Sequence, residues 1–153
     1  MFGFGKGKVI ITLEKYQYTA GETIKGTATL KLKKPVEAKE LTIRLLGEKK
    51  TKKVSVSSKG AKSSSKTVAF YDFSYPLDGE KTYVNEKELS YPFEIKIPKN
   101  LFDKKEMNPT MERVMNVMSM FAGGKSQIKW HIIANLDVPW KIDVSEKVQI
   151  TIN

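Results

Sequence analysis

The chain has 153 residues, a formal net charge of +10 and no cysteine, so disulfides and thiolate metal sites are excluded. A single histidine, His131, also excludes a multi-histidine metal site. The length predicts one domain over residues 1–153 that can bury a core without covalent cross-links. No apolar run is long enough for a membrane-spanning helix or for the core of a signal peptide, and we therefore expect a cytoplasmic protein.

The positive charge comes almost entirely from lysine, since Arg44 and Arg113 are the only arginines. A strongly basic protein attracts anions such as nucleic acid, acidic lipid and acidic or phosphorylated protein. Lysine provides diffuse attraction, whereas recognition of a base or phosphate by a forked side chain favours arginine. The excess of lysine therefore predicts either a solvated surface that keeps the protein soluble or a basic binding face.

The first part of the chain alternates between apolar and polar residues, which is the period of a β-strand. After a glycine-rich start, the first predicted strand begins at Val9. Over residues 24–33 apolar side chains share one face and lysine or threonine the other, and Pro35 then interrupts the pattern because proline has no amide proton to donate. Residues 41–45 restart the alternation, and Gly47 is predicted to end that strand.

A basic segment follows at residues 49–66. It contains seven lysines and no acidic residue, and its few apolar side chains predict a long, mobile hairpin tip at about residues 57–66. Long loops on rigid β scaffolds often carry binding, so the segment is either an electrostatic contact loop or a polar tip without a partner. The lysines that would form the contact are Lys49, Lys50, Lys52, Lys53, Lys59, Lys62 and Lys66.

The rest of the chain is again dominated by strand patterns. Residues 67–73 predict the strand that returns from the basic segment, and residues 91–97 and 128–136 alternate strictly. On the last of these, His131 is predicted to face away from the core, which argues against a role as a catalytic base. Residues 148–152 form a final strand. Regular short strands separated by turn signals predict an all-β fold, an antiparallel β-sandwich.

One segment has the period of a helix instead. A helix is predicted at residues 109–122, with Asn108 as its N-cap, Pro109 at its first position and a glycine pair at its end. Methionines dominate its apolar face, and methionine adapts well to irregular surfaces. The helix therefore either covers an end or edge of the sandwich or binds a partner, and the methionines at this face include Met111, Met115 and Met118.

No residue pattern predicts a catalytic site, a metal site or a cofactor. Asp72, Asp78 and Glu80 lie at a strand end and in a turn, without the spacing of a metal site or an acid–base pair. Nucleic-acid binding is disfavoured, because residues 49–66 contain no aromatic side chain on which a base could stack. Contact of the same lysines with an anionic membrane surface stays open.

Four stretches carry motifs that go beyond simple alternation. They are residues 18–26 (YTAGETIKG), 41–47 (LTIRLLG), 91–98 (YPFEIKIP) and 128–140 (IKWHIIANLDVPW). In order and spacing they resemble the N-terminal domain of arrestin-domain proteins, including the bacterial sporulation-control relatives, over roughly residues 8–102 and 126–153. The resemblance implies an immunoglobulin-like β-sandwich, in which the helix at 109–122 is an insertion of this branch.

The resemblance also implies a function. Arrestin-like proteins are non-enzymatic adaptors that bind other proteins, many of them membrane-associated or phosphorylated, through loops and sheet edges. Residues 49–66 occupy the position of the family's receptor-engaging loop. Lys15 aligns with a basic residue at which receptor arrestins sense phosphate, whereas Tyr16 departs from the family's basic pair.

Family members usually have two such domains, so an exposed edge or the methionine face also predicts a homo-oligomer. The alternative function is a basic module that contacts an anionic membrane surface or nucleic acid through the lysine-rich loop.

Overall fold

All the regular secondary structure in the described part of the chain is β-strand. The computed structural model describes residues 6–101 and 125–153, although not the side chains of residues 53–55 and 125–126. The strands are β1 (Gly7–Leu13), β2 (Gln17–Tyr18), β3 (Thr23–Leu32), β4 (Val36–Ala38), β5 (Glu40–Ser57), β6 (Gly60–Asp78), β7 (Lys81–Tyr83), β8 (Leu89–Lys96), β9 (Lys125–Asp137) and β10 (Val144–Ile152). The prediction of an all-β fold is confirmed, and the helix predicted at residues 109–122 lies outside the described residues.

The strands form two main sheets and a small one. A three-stranded antiparallel sheet has the order β1-β3-β8, and a five-stranded sheet has the order β2-β10-β9-β5-β6. The larger sheet is antiparallel except where the short β2 runs parallel to β10. Strands β4 and β7 pair separately. Strand β6 is therefore an edge of the larger sheet, and it is also the longest strand described.

Both main sheets contribute side chains to one hydrophobic core. On β3, the apolar side of the predicted alternation is buried and Lys25 and Lys31 on the other side are exposed, as the sequence predicts. The larger sheet faces β3 with Leu41, Ile43 and Leu45 from β5 and with Trp130, Ile132, Ala134 and Leu136 from β9. Complete burial of one such aliphatic side chain stabilises the fold by about 1.5–3 kcal/mol, so these alternating positions largely determine the register.

Two predictions about β5 and β6 are wrong. Gly47 does not end its strand, because β5 continues through it to Ser57. Residues 57–66 do not form a long mobile tip either: β5 and β6 remain paired until Ser57 lies opposite Gly60. The prediction considered only side-chain burial, whereas the ladder satisfies the backbone amides and carbonyls of the segment without burying its side chains.

An irregularity in β6 anchors the base of this hairpin. Gly47 lies opposite Tyr71 and Glu48 lies opposite Ala69, so Phe70 is an additional residue of the kind found in a β-bulge. The rings of Phe70 and Tyr71 consequently both reach Trp130, with ring centroids 5.2 and 5.7 Å from the indole. This aromatic cluster fixes the hairpin to the core at the point where the core ends.

Candidate protein-binding surface

The sequence-predicted basic segment forms a regular hairpin at one end of the larger sheet, which we call the lysine hairpin (residues 49–66). Strand β9 pairs with its first part, as far as the pair Lys52 and Lys125. Beyond Lys52, the pairing within residues 6–101 and 125–153 is between β5 and β6 alone. The lysine hairpin therefore continues the sheet past the hydrophobic core as a two-stranded ribbon.

In the pairing of β5 with β6, no lysine of the hairpin lies directly opposite another lysine. Lys50 lies opposite Thr67, and Lys52 lies opposite Ser65. On the return strand, Lys66 lies opposite Thr51. Like charges directly opposite each other destabilise a strand pair, and within the β5–β6 ladder of the lysine hairpin each lysine faces a serine, a threonine or a valine. Threonine and valine also favour the extended backbone.

Both faces of the ribbon carry positive charge. Alternation along β5 and β6 places Lys49, Lys62 and Lys66 on the face that continues the core side of the sheet, and Lys50 and Lys52 on the opposite face. Lys59 lies at the tip. Lys49 and Lys50 are half-buried at the base, whereas Lys52, Lys59, Lys62 and Lys66 are exposed. Lys53 lies opposite Ser64, and its side chain is outside the described part of the structure.

The turn at the tip depends on a glycine. Ser58 and Lys59 connect the two strands, and Gly60 adopts φ +113°. The Ser57 hydroxyl donates to the Gly60 carbonyl at 3.3 Å and accepts from the Lys59 amide at 3.4 Å. Positive φ is readily available to glycine and strained for other residues, so Gly60 allows the chain to reverse while Ser58 and Lys59 avoid that region.

Lys15 lies at the same end of the molecule. It precedes β2, which pairs with the last residues of β10, and β10 in turn places Ile150 beside Trp130 at the hairpin base. The Lys15 ammonium lies 2.9 Å from a carboxylate oxygen of Glu22 and 5.1 Å from the centroid of the Tyr18 ring. The hydrogen bond from Lys15 is the main cause that lowers the pKa of the Glu22 carboxyl. A phosphate at Lys15 would have to compete with Glu22.

The remaining predicted site residues differ in what the structure says of them. Met111, Met115 and Met118 lie outside the described residues, so contact through a methionine face stays a prediction. His131 lies on the outer side of the sheet between Leu46 and Gln149, as predicted, although it is half-buried. Burial is the main cause that lowers its pKa.

The described residues contain neither a cluster of metal ligands nor a helix that could span a membrane. Within residues 6–101 and 125–153, no group of three or more histidine or acidic side chains is arranged to hold a metal ion. No helix in that same part is long and apolar enough to cross a bilayer.

Sequence reasoning missed one surface. The connection between β9 and β10 carries Trp140, whose side chain is fully exposed, and Ile142, which is 77% exposed. In the sequence, Pro139 and Trp140 appear only as the last residues of the motif at residues 128–140. The signal that could have identified this surface is a tryptophan directly after a turn-forming proline, where a core side chain is not expected.

Comparisons with known proteins agree with this architecture. A family model described as "Arrestin (or S-antigen), N-terminal domain" matches residues 7–153. Among solved structures, the crystal structure of Spo0M, a sporulation control protein from Bacillus subtilis, matches with a TM-score of 0.58 and 21% identity. That match covers 97% of this chain and 50% of the Spo0M chain, so this chain spans half the length of Spo0M.

A second solved structure is much less similar. The Pseudomonas fluorescens alkylpurine DNA glycosylase AlkC, bound to DNA containing an abasic site analog, matches with a TM-score of 0.32 and 14% identity. The match covers 95% of this chain and 31% of that one, and at this TM-score it supports no argument. No curated protein matches the sequence.

Proposed function

The chain belongs to the family of arrestin N-terminal domains. On that premise, we propose that it is a non-enzymatic adaptor that binds a partner protein through the lysine hairpin. We further propose that residues 1–153 act as one arrestin-like domain. Spo0M shares the fold, and its name describes control of a cellular process. That likeness supports a regulatory role over a catalytic one.

The observation that carries the proposal is the form of the lysine hairpin. Its seven lysines lie within residues 49–66, which contain no acidic residue. This segment forms a paired ribbon, and Phe70 and Tyr71 at its base contact Trp130. A preorganised ribbon loses less conformational entropy on binding than a mobile loop. The matching partner is a protein with an acidic or phosphorylated segment, because lysine ammonium groups attract such anions over a broad area.

Affinity capture from cell lysate tests this proposal. The wild-type protein is compared with a Lys59→Ser, Lys62→Ser, Lys66→Ser variant, with nuclease present and with salt raised in steps. The matched control replaces Lys8, Lys25 and Lys147 with serine. These lysines are exposed and lie outside the lysine hairpin, so both variants lose three positive charges. We expect one protein partner to survive nuclease, to be lost from the hairpin variant and to be retained by the control.

Three other outcomes would overturn the proposal. Equal loss of the partner from both variants would show that only net charge matters. Retention by both variants would place the contact elsewhere. Loss of all bound material on nuclease treatment would instead favour the alternative of a nucleic-acid module, whose attachment weakens steeply as salt rises through counterion release.

A further inference from the structure

The connection between β9 and β10 contains a turn with an unusual residue. The Lys141 amide donates to the Val138 carbonyl at 3.3 Å, which closes a four-residue turn. Pro139 occupies its second position, and Trp140 occupies the third with φ +62°. Proline followed by positive φ is typical of a type II turn, in which the third residue is usually glycine or asparagine. Trp140 is the only non-glycine residue with positive φ among those the structure describes.

The fold itself does not require a tryptophan at this position. Trp140 is fully exposed, so its ring contributes nothing to the core, and glycine would adopt the same backbone conformation without strain. The strained backbone costs folding free energy, and the exposed ring regains none of it through burial. Such an outlier points to a role outside the folded domain.

Three side-chain hydrogen bonds hold the loop that carries Trp140 in place. The carboxylate of Asp143 accepts a hydrogen bond from the Val138 amide at 2.9 Å and another from the Asn135 side chain at 3.2 Å. The ammonium of Lys6, the residue before β1, donates to the Ile142 carbonyl at 2.6 Å. The exposed side chains of Trp140 and Ile142 are therefore carried by a turn that these hydrogen bonds stabilise.

Lysines lie close to the exposed Trp140. A cavity of about 420 Å³ lies beside the turn, and Lys6, Lys34 and Lys141 contribute to its lining. Burial lowers the pKa of Lys6 and repulsion from Lys141 and Lys34 lowers it further, whereas the nearby Asp143 raises it. Glu37 is the acidic residue in the same lining. With three lysines and one carboxylate, the lining of this cavity has a net positive charge.

We propose that this end of the molecule docks on the surface of an anionic lipid bilayer, with Trp140 and Ile142 entering the interface and the three lysines facing the headgroups. Tryptophan favours the membrane–water interface, because its ring is apolar and its N–H is polar. Lysines next to an anionic leaflet add electrostatic attraction. Trp140 is fully exposed although it also borders the cavity, and Ile142 is exposed beside it. An exposed apolar tip next to a lysine-lined cavity matches an anionic bilayer surface.

The docking surface lies at the opposite end of the larger sheet from the lysine hairpin. Strand β5 starts with Glu40 opposite Asp137 and passes Lys52 opposite Lys125, so β9 spans the whole distance between the two ends. A strand of 13 residues is about 40 Å long. A molecule docked through Trp140 would present the lysine hairpin away from the bilayer.

Vesicle binding tests the proposal. The wild-type protein and a Trp140→Gly variant are mixed with vesicles of phosphatidylcholine alone or of phosphatidylcholine with phosphatidylserine, and bound protein is measured by co-sedimentation. Tryptophan emission gives a second readout, because the other tryptophan, Trp130, is 2% exposed and should not respond. A Tyr16→Ser variant is the matched control, since Tyr16 is an aromatic residue that is 54% exposed at the other end of the molecule.

We expect the wild type and the Tyr16→Ser control to bind phosphatidylserine vesicles with a blue shift of emission, and Trp140→Gly to bind on the order of tenfold more weakly. The Trp140→Gly variant should fold, because glycine suits the turn. If it does not fold, Ile142→Ser and the pair Lys34→Ser, Lys141→Ser carry the same expectation. Failure of the wild type to bind these vesicles, or equal binding by all variants, would overturn the proposal.

Discussion

The indole ring of Trp130 lies directly against the backbone of Gly47. A Cβ atom built on Gly47 would come within 2.7 Å of Cζ3 and 2.9 Å of Cη2 of the ring. Trp130 is buried, and its other side contacts Phe70 and Tyr71, so it has little room to move away. The side chain missing at Gly47 is therefore what allows β5 and β9 to pair closely at the base of the lysine hairpin.

We expect Gly47→Ala to destabilise the protein by about 1–3 kcal/mol, the range found when a well-packed core is overfilled. Urea denaturation followed by circular dichroism would measure the change. Gly79→Ala is the control, since a Cβ at Gly79 meets no atom within 4 Å. Equal stability of the two variants would contradict the close packing of Trp130 on Gly47.

The alternation of the sequence was sufficient to predict most strands and the side of β3 that is buried. It did not predict how β5 and β6 continue beyond Gly47, because the order of the lysine hairpin comes from backbone pairing between the two strands. Side-chain composition carries no signal of that pairing. The same limit applies to Phe70, since a bulge appears only when two strands are placed side by side.

The turn at Trp140 was missed for a different reason. A proline-tryptophan pair is compatible with several turn types, and the sequence does not reveal that Trp140 has φ +62° and full exposure. The position of Lys15 beside Glu22 is likewise a result of tertiary structure. Sequence therefore predicted which segment is basic, but not which lysines already have a partner.

The tip of the lysine hairpin offers a test of its order. We expect Gly60→Ala to increase hydrogen exchange of backbone amides near the tip while the global urea midpoint changes little. The residue at position 60 has φ +113°, which strains alanine. Among the described residues, the ribbon beyond Lys52 pairs only between its own two strands, so its opening should be local. Ser58→Ala is the control at the same tip. If exchange near the tip is already unprotected in the wild type, the paired hairpin is contradicted.

The ion pair between Arg44 and Asp72 should make the free energy of unfolding decrease at acidic pH. Two hydrogen bonds of 2.7 and 2.6 Å join the guanidinium to the carboxylate across β5 and β6. The hydrogen bond from Arg44 is the main cause that lowers the pKa of the Asp72 carboxyl. A carboxyl whose pKa is lower in the folded state contributes stability above its unfolded pKa of about 3.9 and loses it as the pH falls through the folded pKa.

We therefore expect Asp72→Asn to lose less stability than the wild type when the pH is lowered below 4, an acid region that follows from the unfolded pKa of about 3.9. Both side chains are partly exposed, so the difference at neutral pH should be below about 1 kcal/mol. Urea midpoints measured across the acid range would show this, with Glu86→Gln as the control for removing an exposed acid. Parallel pH profiles for the wild type and Asp72→Asn would contradict a folded-state role of the pair.

The buried Tyr83 should make the free energy of unfolding decrease at alkaline pH. Its side chain is fully buried and its hydroxyl donates to the Gly79 carbonyl at 2.7 Å. Burial is the main cause that raises its pKa to about 12, whereas an unfolded tyrosine has a pKa of about 10. A group whose pKa is raised by folding contributes stability below the unfolded value and loses it as the pH rises towards the folded one.

We expect Tyr83→Phe to be less stable than the wild type by about 1 kcal/mol at neutral pH, because the hydrogen bond to Gly79 is lost. Between about pH 10 and 12 the variant should then lose less stability than the wild type, because the wild-type phenol ionises in the unfolded state and stays protonated in the folded one. Urea midpoints on both sides of pH 10 would measure the two effects, with the exposed Tyr16→Phe as control. If the loss of stability between about pH 10 and 12 were the same in Tyr83→Phe and the wild type, the burial of Tyr83 in the folded chain would be contradicted.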